Sequence, residues 1–207
     1  MSQTSVIGLT ASPVTAPVAV AATRRLEAAG YAVRQYQADE SGGGAFESAV
    51  RAGTFAGVLD VATQELAVAL RRGTSAGSNR LTAAALAGVP QVISLGGLDG
   101  VSPGPRTTPE ECDRLGQEVA MKACAARGPT AIVVPLRGLS SLDVEGGPHW
   151  LPEANAALFQ SLRNWVYGVE LIELDLHVTD PEFGLACAET LLRLLRVTNV
   201  SQSVPGP

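Results

Sequence analysis

Short apolar runs rich in β-branched residues alternate with longer stretches of helical periodicity along most of the chain. Strand followed by helix, repeated in this way, is the pattern of an α/β domain with a mostly parallel sheet. The predicted strands are apolar throughout, as expected when helices cover both faces of a sheet. We therefore predict a three-layer, Rossmann-like α/β domain with about six strands: Ser5–Leu9, Tyr31–Gln37, Gly57–Val61, Gln91–Leu95, Ala131–Leu136 and Leu171–His177. The predicted helices are Pro17–Ala29, Phe46–Ala52, Gln64–Arg72, Arg80–Ala87, Pro109–Arg127, Pro152–Tyr167 and Pro181–Arg196.

Length and composition limit the class of protein. A chain of 207 residues with 46% apolar residues is long enough for one well-buried core, so we expect a single domain over residues 1–196 and a flexible tail over 197–207. The net charge of −5 and the absence of a long basic cluster argue against a nucleic-acid partner. The N-terminal residues resemble no signal peptide, and no apolar run is long enough to span a membrane. We expect a cytoplasmic protein with no membrane partner.

The two kinds of connection between strands and helices differ in composition. Helix-to-strand connections are short and carry a glycine suited to a helix C-terminus. Strand-to-helix connections are longer and rich in Asp, Gly and Ser. In open α/β sheets ligands bind outside the carboxyl ends of the strands, where helix N-termini also offer unpaired N–H groups. The sequence therefore predicts a site for a small anionic or polar ligand at that edge.

Familiar chemical motifs are absent. The sequence contains no P-loop, no dinucleotide-binding fingerprint and no nucleophile elbow. The two histidines, His149 and His177, stand alone, so they predict no ordinary zinc site and we assign no metal ligands. Carboxylates could still hold Mg²⁺ through oxygen.

A run of three glycines follows the second predicted strand. Gly42, Gly43 and Gly44 are expected in a loop before the helix that opens near Phe46, where they would let the backbone approach a phosphate or carboxylate. A flexible turn is the alternative interpretation. Glu47, in the first turn of that helix, would oppose an anion but suit a metal or a hydroxylated ligand.

Acidic residues follow the third and fourth strands. Asp60 ends an apolar strand, where a charge without a partner is costly, and Glu65 lies just beyond it. Asp99 follows the fourth strand in a Gly-Gly-Leu-Asp-Gly turn. Asp60 and Asp99 could each bind a ligand or metal, and each could instead cap the helix that follows. Glu65 is a candidate ligand-binding residue.

Donor groups complete the set of candidates. Arg80 is expected to open a helix after a loop of small residues, and its guanidinium could bind a carboxylate or phosphate. A plain surface arginine is equally compatible with the sequence. Ser140 belongs to a second donor cluster. His177 would be a general base or substrate ligand at the strand edge, or else a turn histidine beside a capping aspartate. Asp180 would bind ligand or cap the following helix. His149 is interpreted as a surface or structural loop residue.

Seven segments together form a specific pattern that none carries alone: Ala38–Glu47, Gly57–Leu66, Ser75–Leu81, Val89–Asp99, Pro135–Asp143, Pro152–Phe159 and Asp175–Phe183. This pattern resembles the second subdomain of the family of the ATP-binding tomato mosaic virus resistance protein and its bacterial relatives of unassigned activity. The resemblance covers Ser5 to Leu195. It implies an α/β fold. In the family this subdomain follows another α/β subdomain that takes part in ATP binding, so the resemblance implies that a separate polypeptide supplies that first subdomain or that this protein works without it. Relatives carry a longer segment near Pro103–Thr108, which here is shortened.

Two functions agree with these observations. The first is a stand-alone counterpart of the second subdomain that works as an enzyme subunit together with a separate ATP-binding partner. Its substrate would be a small carboxylate or phosphorylated metabolite, and the partner would supply ATP and Mg²⁺. Its ligand would be held by Gly42–Gly44 and Arg80, with Asp60, Glu47 and His177 as acid–base or Mg²⁺-associated groups. The second is a non-catalytic ligand-binding or assembly module. Oligomerisation is expected in either case, since Trp150 and Trp165 could present apolar surface to another chain. Leu158 and Phe159 belong to the same apolar set, and core packing is the alternative for all four.

Overall fold

The computed structural model describes residues 4–73, 79–100 and 104–203. Six parallel strands form one sheet in the order β2-β1-β3-β4-β5-β6. This confirms the predicted α/β architecture, and each predicted strand is found within a few residues of its expected bounds. The strands are β1 (Val6–Ala11), β2 (Ala32–Gln37), β3 (Gly57–Ala62), β4 (Gln91–Gly96), β5 (Thr130–Pro135) and β6 (Glu170–Leu174).

Helices cover both faces of the sheet. In the described ranges they are α1 (Ala16–Ala28), α2 (Glu40–Arg51), α3 (Glu65–Arg72), α4 (Ala83–Ala87), α5 (Pro109–Cys124), α6 (Pro152–Trp165) and α7 (Pro181–Ser203). Helices α1 and α7 pack together on one face, and α5 and α6 pack together on the other. The central strands β3, β4 and β5 are buried along their whole length, which is why they are apolar runs and not alternating ones.

The structure corrects three predicted boundaries. Helix α2 begins at Glu40, not near Phe46, because Asp39 caps it by accepting a hydrogen bond from the Gly42 N–H at 2.8 Å. Arg80 does not open a helix: it lies in a turn, and α4 begins at Ala83. Strand β6 ends at Leu174, so His177 lies in the loop after it.

The last helix is longer than predicted. Helix α7 continues to Ser203, beyond the predicted end at Arg196, and the final four residues lie outside the described part of the chain. The flexible tail and the single-domain boundary therefore stay predictions. None of the described helices combines the length and apolar character needed to cross a membrane.

The crevice where the strand order reverses lies between β1 and β3. This switch point is a common ligand position in doubly wound sheets. Here a single turn of 3₁₀ helix, Pro13–Thr15, follows β1, and the buried Thr15 packs over the end of β4. Its methyl group would be 2.7 Å from a Cβ placed on Gly96. Thr15 therefore packs closely against Gly96 at this edge of the sheet.

Candidate functional site

Four of the candidate residues meet in one buried group, the arginine cluster, made of Arg80, Glu47, Asp60 and Glu65. Arg80 donates from Nη1 to Glu47 Oε1 and from Nε to Glu65 Oε1, each at 2.9 Å, and from Nη2 to Asp60 Oδ1. The guanidinium is fully buried and each carboxylate is at most 3% exposed. The spacing of these residue types in the sequence does not predict that their side chains are in contact, because the four residues come from α2, β3, α3 and a turn.

Backbone geometry around Arg80 fixes the cluster in place. Glu47 accepts hydrogen bonds from the N–H groups of Leu81 at 2.7 Å and Ala83 at 2.8 Å. Leu81 has a φ of 65°, a conformation that a leucine adopts at a cost. Since one carboxylate binds both the guanidinium and two N–H groups of the turn, the turn and the cluster support each other. Thr10 adds a hydrogen bond to Asp60 from the neighbouring strand, at 2.8 Å.

The glycine run serves packing rather than a loop. A Cβ on Gly42 would lie 2.1 Å from the Gln37 carbonyl oxygen, and one on Gly43 would lie 2.5 Å from Glu65 Oε1. A Cβ on Gly44 would meet nothing within 4 Å. The predicted loop is wrong, because these glycines form the first turns of α2 and the first two let that helix approach the strand end and the arginine cluster. The ligand-binding role predicted for the three glycines stays a prediction.

The arginine cluster carries more acid than base. Burial raises the pKa of Glu65 to about 7, although Arg80 opposes the rise, and burial also raises the pKa of Glu47 against the same opposition. Burial alone would lower the pKa of Arg80, but the surrounding carboxylates outweigh it and hold that pKa above its ordinary value. Glu65 Oε2 has no hydrogen-bond partner within the described residues. The predicted ligand-binding and catalytic roles of these four residues stay predictions, and the hydrogen bonds from Arg80 to all three carboxylates give the cluster a structural role as well.

A second polar group, the edge network, lies at the carboxyl ends of β4 and β5. Asp99 Oδ2 accepts a hydrogen bond from Ser140 Oγ at 2.5 Å and contacts His149 Nδ1 at 2.7 Å. Gly97 and Gly100 both have positive φ and bend the chain tightly around Asp99. Burial raises the pKa of Asp99, and the hydrogen bonds from Ser140 and His149 oppose that rise. The structure thus brings two predicted ligand-binding residues, Asp99 and Ser140, together with His149, for which the sequence predicts a surface or structural role.

The edge network continues through Asp143. Asp143 Oδ2 accepts hydrogen bonds from the Leu139 N–H at 2.9 Å and from Asn155 Nδ2 at 2.8 Å, and Asn155 Oδ1 accepts one from Arg106 Nη2. Asp99 Oδ1, Asp143 Oδ1 and Arg106 Nε are buried without a partner among the described residues. Sequence reasoning missed Asp143, Asn155 and Arg106 as members of a site. Within the described ranges, no group of three or more His, Cys, Asp or Glu side chains could hold a metal ion.

His177 is held by its own loop. Its Nδ1 accepts a hydrogen bond from the Thr179 N–H at 3.1 Å, so Nε2 carries the proton and donates to the Asp143 carbonyl oxygen at 3.2 Å. Asp180 accepts a hydrogen bond from the backbone N–H of His177 at 2.8 Å and closes the turn before α7. Both ring nitrogens are therefore in hydrogen bonds, and neither offers a free lone pair to a substrate proton. The role predicted for His177 as a general base stays a prediction.

An open cleft adjoins the edge network, and we call it the β5–β6 cleft. It has a volume of about 640 Å³ and lies beyond the carboxyl ends of those two strands. Its wall is mostly apolar, and its polar members include Asn155 of the edge network. Trp150 is 41% exposed at its wall. Leu158 belongs to the core, and Phe159 belongs to the core and also lines the cleft. The lining residues are Leu136, Arg137, Val144, Glu145, Trp150, Pro152, Asn155, Ala156, Phe159 and His177.

Fold and site together define a three-layer α/β domain with a buried polar network and a cleft at the carboxyl edge of its sheet. The chain belongs to the uncharacterised protein family UPF0261: the model of that family's C-terminal domain matches residues 4–108 and 104–195. The two matches meet at residues 104–108, next to the shortened loop inferred from the sequence.

Three relatives illustrate the membership. The chain is 34% identical to a UPF0261 protein of Clostridium tetani, over 91% of this chain and 53% of the relative. It is 34% identical to a second UPF0261 protein, from Rhizobium meliloti, over 87% of this chain and 52% of the relative. It is 31% identical to the ToMV resistance protein Tm-1 of Solanum lycopersicum, over 91% of this chain and 28% of the relative. The chain thus spans about half the length of these bacterial relatives.

Proposed function

We propose that this chain provides the substrate-binding part of an enzyme that acts on a small organic acid, and that the acid binds in the β5–β6 cleft. The observation that carries the proposal is the cleft itself, which opens at the carboxyl edge of a parallel sheet and combines apolar walls with a few polar groups. This combination is typical of small-molecule sites. The apolar walls would cover the carbon skeleton of the ligand.

Arg137 is the residue that would bind the acid group. It lines the cleft, its side chain is 60% exposed, and it pairs with the exposed Asp175 at 2.7 Å. Exposed ion pairs of this kind contribute little to stability, so a ligand anion can replace Asp175 at small cost. A guanidinium matches a carboxylate or a phosphoryl group through two parallel hydrogen bonds. The mainly apolar wall favours a carboxylate with an apolar body over a phosphorylated sugar.

ATP belongs to the proposal only through a further partner. The glycine run does not fit a triphosphate, because the N-terminus of α2 is capped by Asp39 and carries Glu40 in its first turn. Both carboxylates would repel phosphate. We therefore assign ATP and Mg²⁺ to no described residue, and an ATP-binding partner, in a homo- or hetero-oligomer, stays a proposal that rests on the family resemblance.

A non-catalytic ligand-binding module is the second candidate. It is favoured by one observation: the polar atoms of Glu47, Asp60 and His177 are engaged with other protein groups. Such a module would use the same cleft. Binding measurements therefore test both candidates, and turnover separates them.

Tryptophan fluorescence tests binding directly. The chain has two tryptophans, so Trp165→Phe leaves Trp150, in the cleft wall, as the only reporter. Acetate, benzoate, succinate and 3-phosphoglycerate serve as probes. We expect benzoate to change the emission, and Arg137→Gln to weaken its binding roughly tenfold, which corresponds to about 1.4 kcal/mol.

Arg163→Gln is the matched control, since Arg163 forms a similar exposed pair with Glu173 away from the cleft. Equal weakening by both variants would contradict a specific role for Arg137. No emission change with any acid at millimolar concentration would contradict the cleft as an acid site. Incubation of each binding acid with ATP and Mg²⁺, with and without host extract, then shows whether a chemical change accompanies binding.

A further inference from the structure

Two charged residues of opposite sign, Arg137 and Glu145, line the β5–β6 cleft. The guanidinium of Arg137 pairs with Asp175, which is not among the lining residues. Glu145 is exposed, and it forms no hydrogen bond or ion pair with any residue that the structure describes. The charge of the cleft wall that stays unmatched is therefore negative. A carboxylate in a mainly apolar wall favours a ligand that carries a cation.

A tight turn holds Glu145 at the wall. The Gly147 N–H donates to the Val144 carbonyl oxygen at 2.7 Å, and Gly146 has a φ of 75°. Glu145 itself has no positive φ, so the turn is of type II, with the glycine that this type requires at its third position. A Cβ on Gly147 would lie 2.5 Å from the Leu142 carbonyl oxygen, so the loop packs closely on itself. The backbone that carries Glu145 is therefore held by the protein's own contacts.

The other polar side chains of the wall already form hydrogen bonds with the protein. Asn155 donates to Asp143 and accepts from Arg106. Both ring nitrogens of His177 are in hydrogen bonds, one of them with the Thr179 N–H. Recognition of charged groups on a ligand therefore falls to the two charged residues of the wall.

Trp150 adds an aromatic surface to the same wall. It follows the turn that carries Glu145, and its N–H donates to the Gly147 carbonyl oxygen at 3.2 Å. The face of an indole attracts an ammonium group, and it also covers apolar atoms. Leu136 and Phe159 supply further apolar contacts. The wall thus combines a guanidinium, a carboxylate and an apolar surface.

We infer that the ligand of the β5–β6 cleft is an amino acid with an apolar body, whose carboxylate binds Arg137 and whose ammonium group binds Glu145. The inference deepens the proposed function, on which it rests, because it adds a positive group to the small organic acid. An acid without an ammonium group would leave Glu145 unmatched and would be repelled by it. The ammonium group displaces no protein partner of Glu145 among the described residues, so its contact adds to the affinity of the acid.

Matched pairs of probes that differ by one ammonium group test the inference. Phenylalanine is compared with 3-phenylpropanoate, and 4-(aminomethyl)benzoate with benzoate, in Trp165→Phe protein with Trp150 as the fluorescent reporter. We expect the ammonium group to tighten binding roughly fivefold in at least one pair, which is the upper end of what one exposed ion pair contributes. The pair that gains affinity shows whether the ammonium group lies beside the carboxylate or across the apolar body.

Glu145→Gln removes the charge and keeps the size of an exposed side chain. It should abolish the gain from the ammonium group and should not weaken the binding of benzoate or 3-phenylpropanoate. Glu153→Gln is the matched control, since Glu153 is an exposed glutamate directly after the lining residue Pro152 and is not itself among the lining residues. It should leave the gain intact.

The outcomes separate this inference from the acid site. Equal affinity within both pairs, or a gain that survives Glu145→Gln, would overturn the inference and leave the acid site standing. Loss of the gain in Glu153→Gln as well would also overturn it, because the gain would then reflect the overall charge of the protein and not a contact in the cleft. Absence of any emission change with all four probes would contradict the proposed function itself, and the inference with it.

Discussion

Replacing Glu65 by glutamine should change how stability depends on pH. Burial raises the pKa of Glu65 in the folded protein to about 7 from an ordinary value of 4.5. Between these values the folded chain binds more protons than the unfolded chain at this position, so the free energy of unfolding falls as pH rises. The difference is 2.5 pKa units (7 minus 4.5), which corresponds to about 3 kcal/mol in all, most of it lost between pH 5 and pH 8.

Glutamine keeps an oxygen acceptor for Arg80 Nε but does not ionise. The unfolding free energy of Glu65→Gln minus that of the wild type should therefore increase by roughly 2–3 kcal/mol from pH 5 to pH 8. Urea denaturation at four pH values measures it, and the subtraction removes the titration of groups that both proteins share. Glu27→Gln, at an exposed position on α1, is the control and should show no such change.

A constant difference between Glu65→Gln and the wild type across this range would mean that Glu65 is ionised in the folded protein as readily as in the unfolded one. The excess of carboxylates around Arg80 would then be balanced by some means other than a proton on Glu65. A difference that decreased with pH would reverse the sign expected from burial.

Four further substitutions test the packing and the roles of single residues. Gly43→Ala should destabilise the protein by about 1–3 kcal/mol, because the new Cβ would lie 2.5 Å from Glu65 Oε1. Gly44→Ala, where a Cβ meets nothing within 4 Å, should be neutral or stabilising by up to about 1 kcal/mol. Thermal unfolding of the two variants measures both changes in stability. Glu47→Ala should cost about 2 kcal/mol or more in urea unfolding, since it leaves two buried N–H groups without an acceptor; unaltered stability with lost turnover would instead support the catalytic role. Thr108→Ala should cost about 1 kcal/mol in thermal unfolding by removing the cap of α5, and an unchanged melting temperature would contradict it.

The fold was predictable because a sheet that is covered by helices on both faces needs strands of apolar residues. Strands covered by helices must be apolar along their length, and the runs at β3, β4 and β5 therefore stand out. The start of α2 was not predicted, since glycine disfavours helix by about 1 kcal/mol per residue. The Asp39 cap and the close packing of Gly42 and Gly43 override that preference. Asp39 was the one local signal that could have placed this helix correctly.

The sequence identifies most residues of the candidate site but does not predict which of them are in contact. Asp60, Glu65, Glu47 and Arg80 were all nominated, but their contact depends on how α2 and the turn before α4 pack against β3. His149 was set aside, because it lies 50 residues from Asp99 in the chain and no short-range pattern links them. Its Gly-Gly-Pro-His setting signals a turn, and only the folded loop shows that the turn returns the ring to the sheet edge.

The arginine cluster also determines which parts of the chain can open separately. It joins α2, β3, the start of α3 and the turn that leads into α4, and removing any one of them would leave a buried charge without its partners. A local opening of that kind is costly. These segments should therefore open as one cooperative unit in amide hydrogen exchange, with similar protection at the hydrogen-bonded amides of α2, β3 and α3. The edge strand β2 and the loops of the β5–β6 cleft lie outside this unit, so we expect them to open at lower free energy.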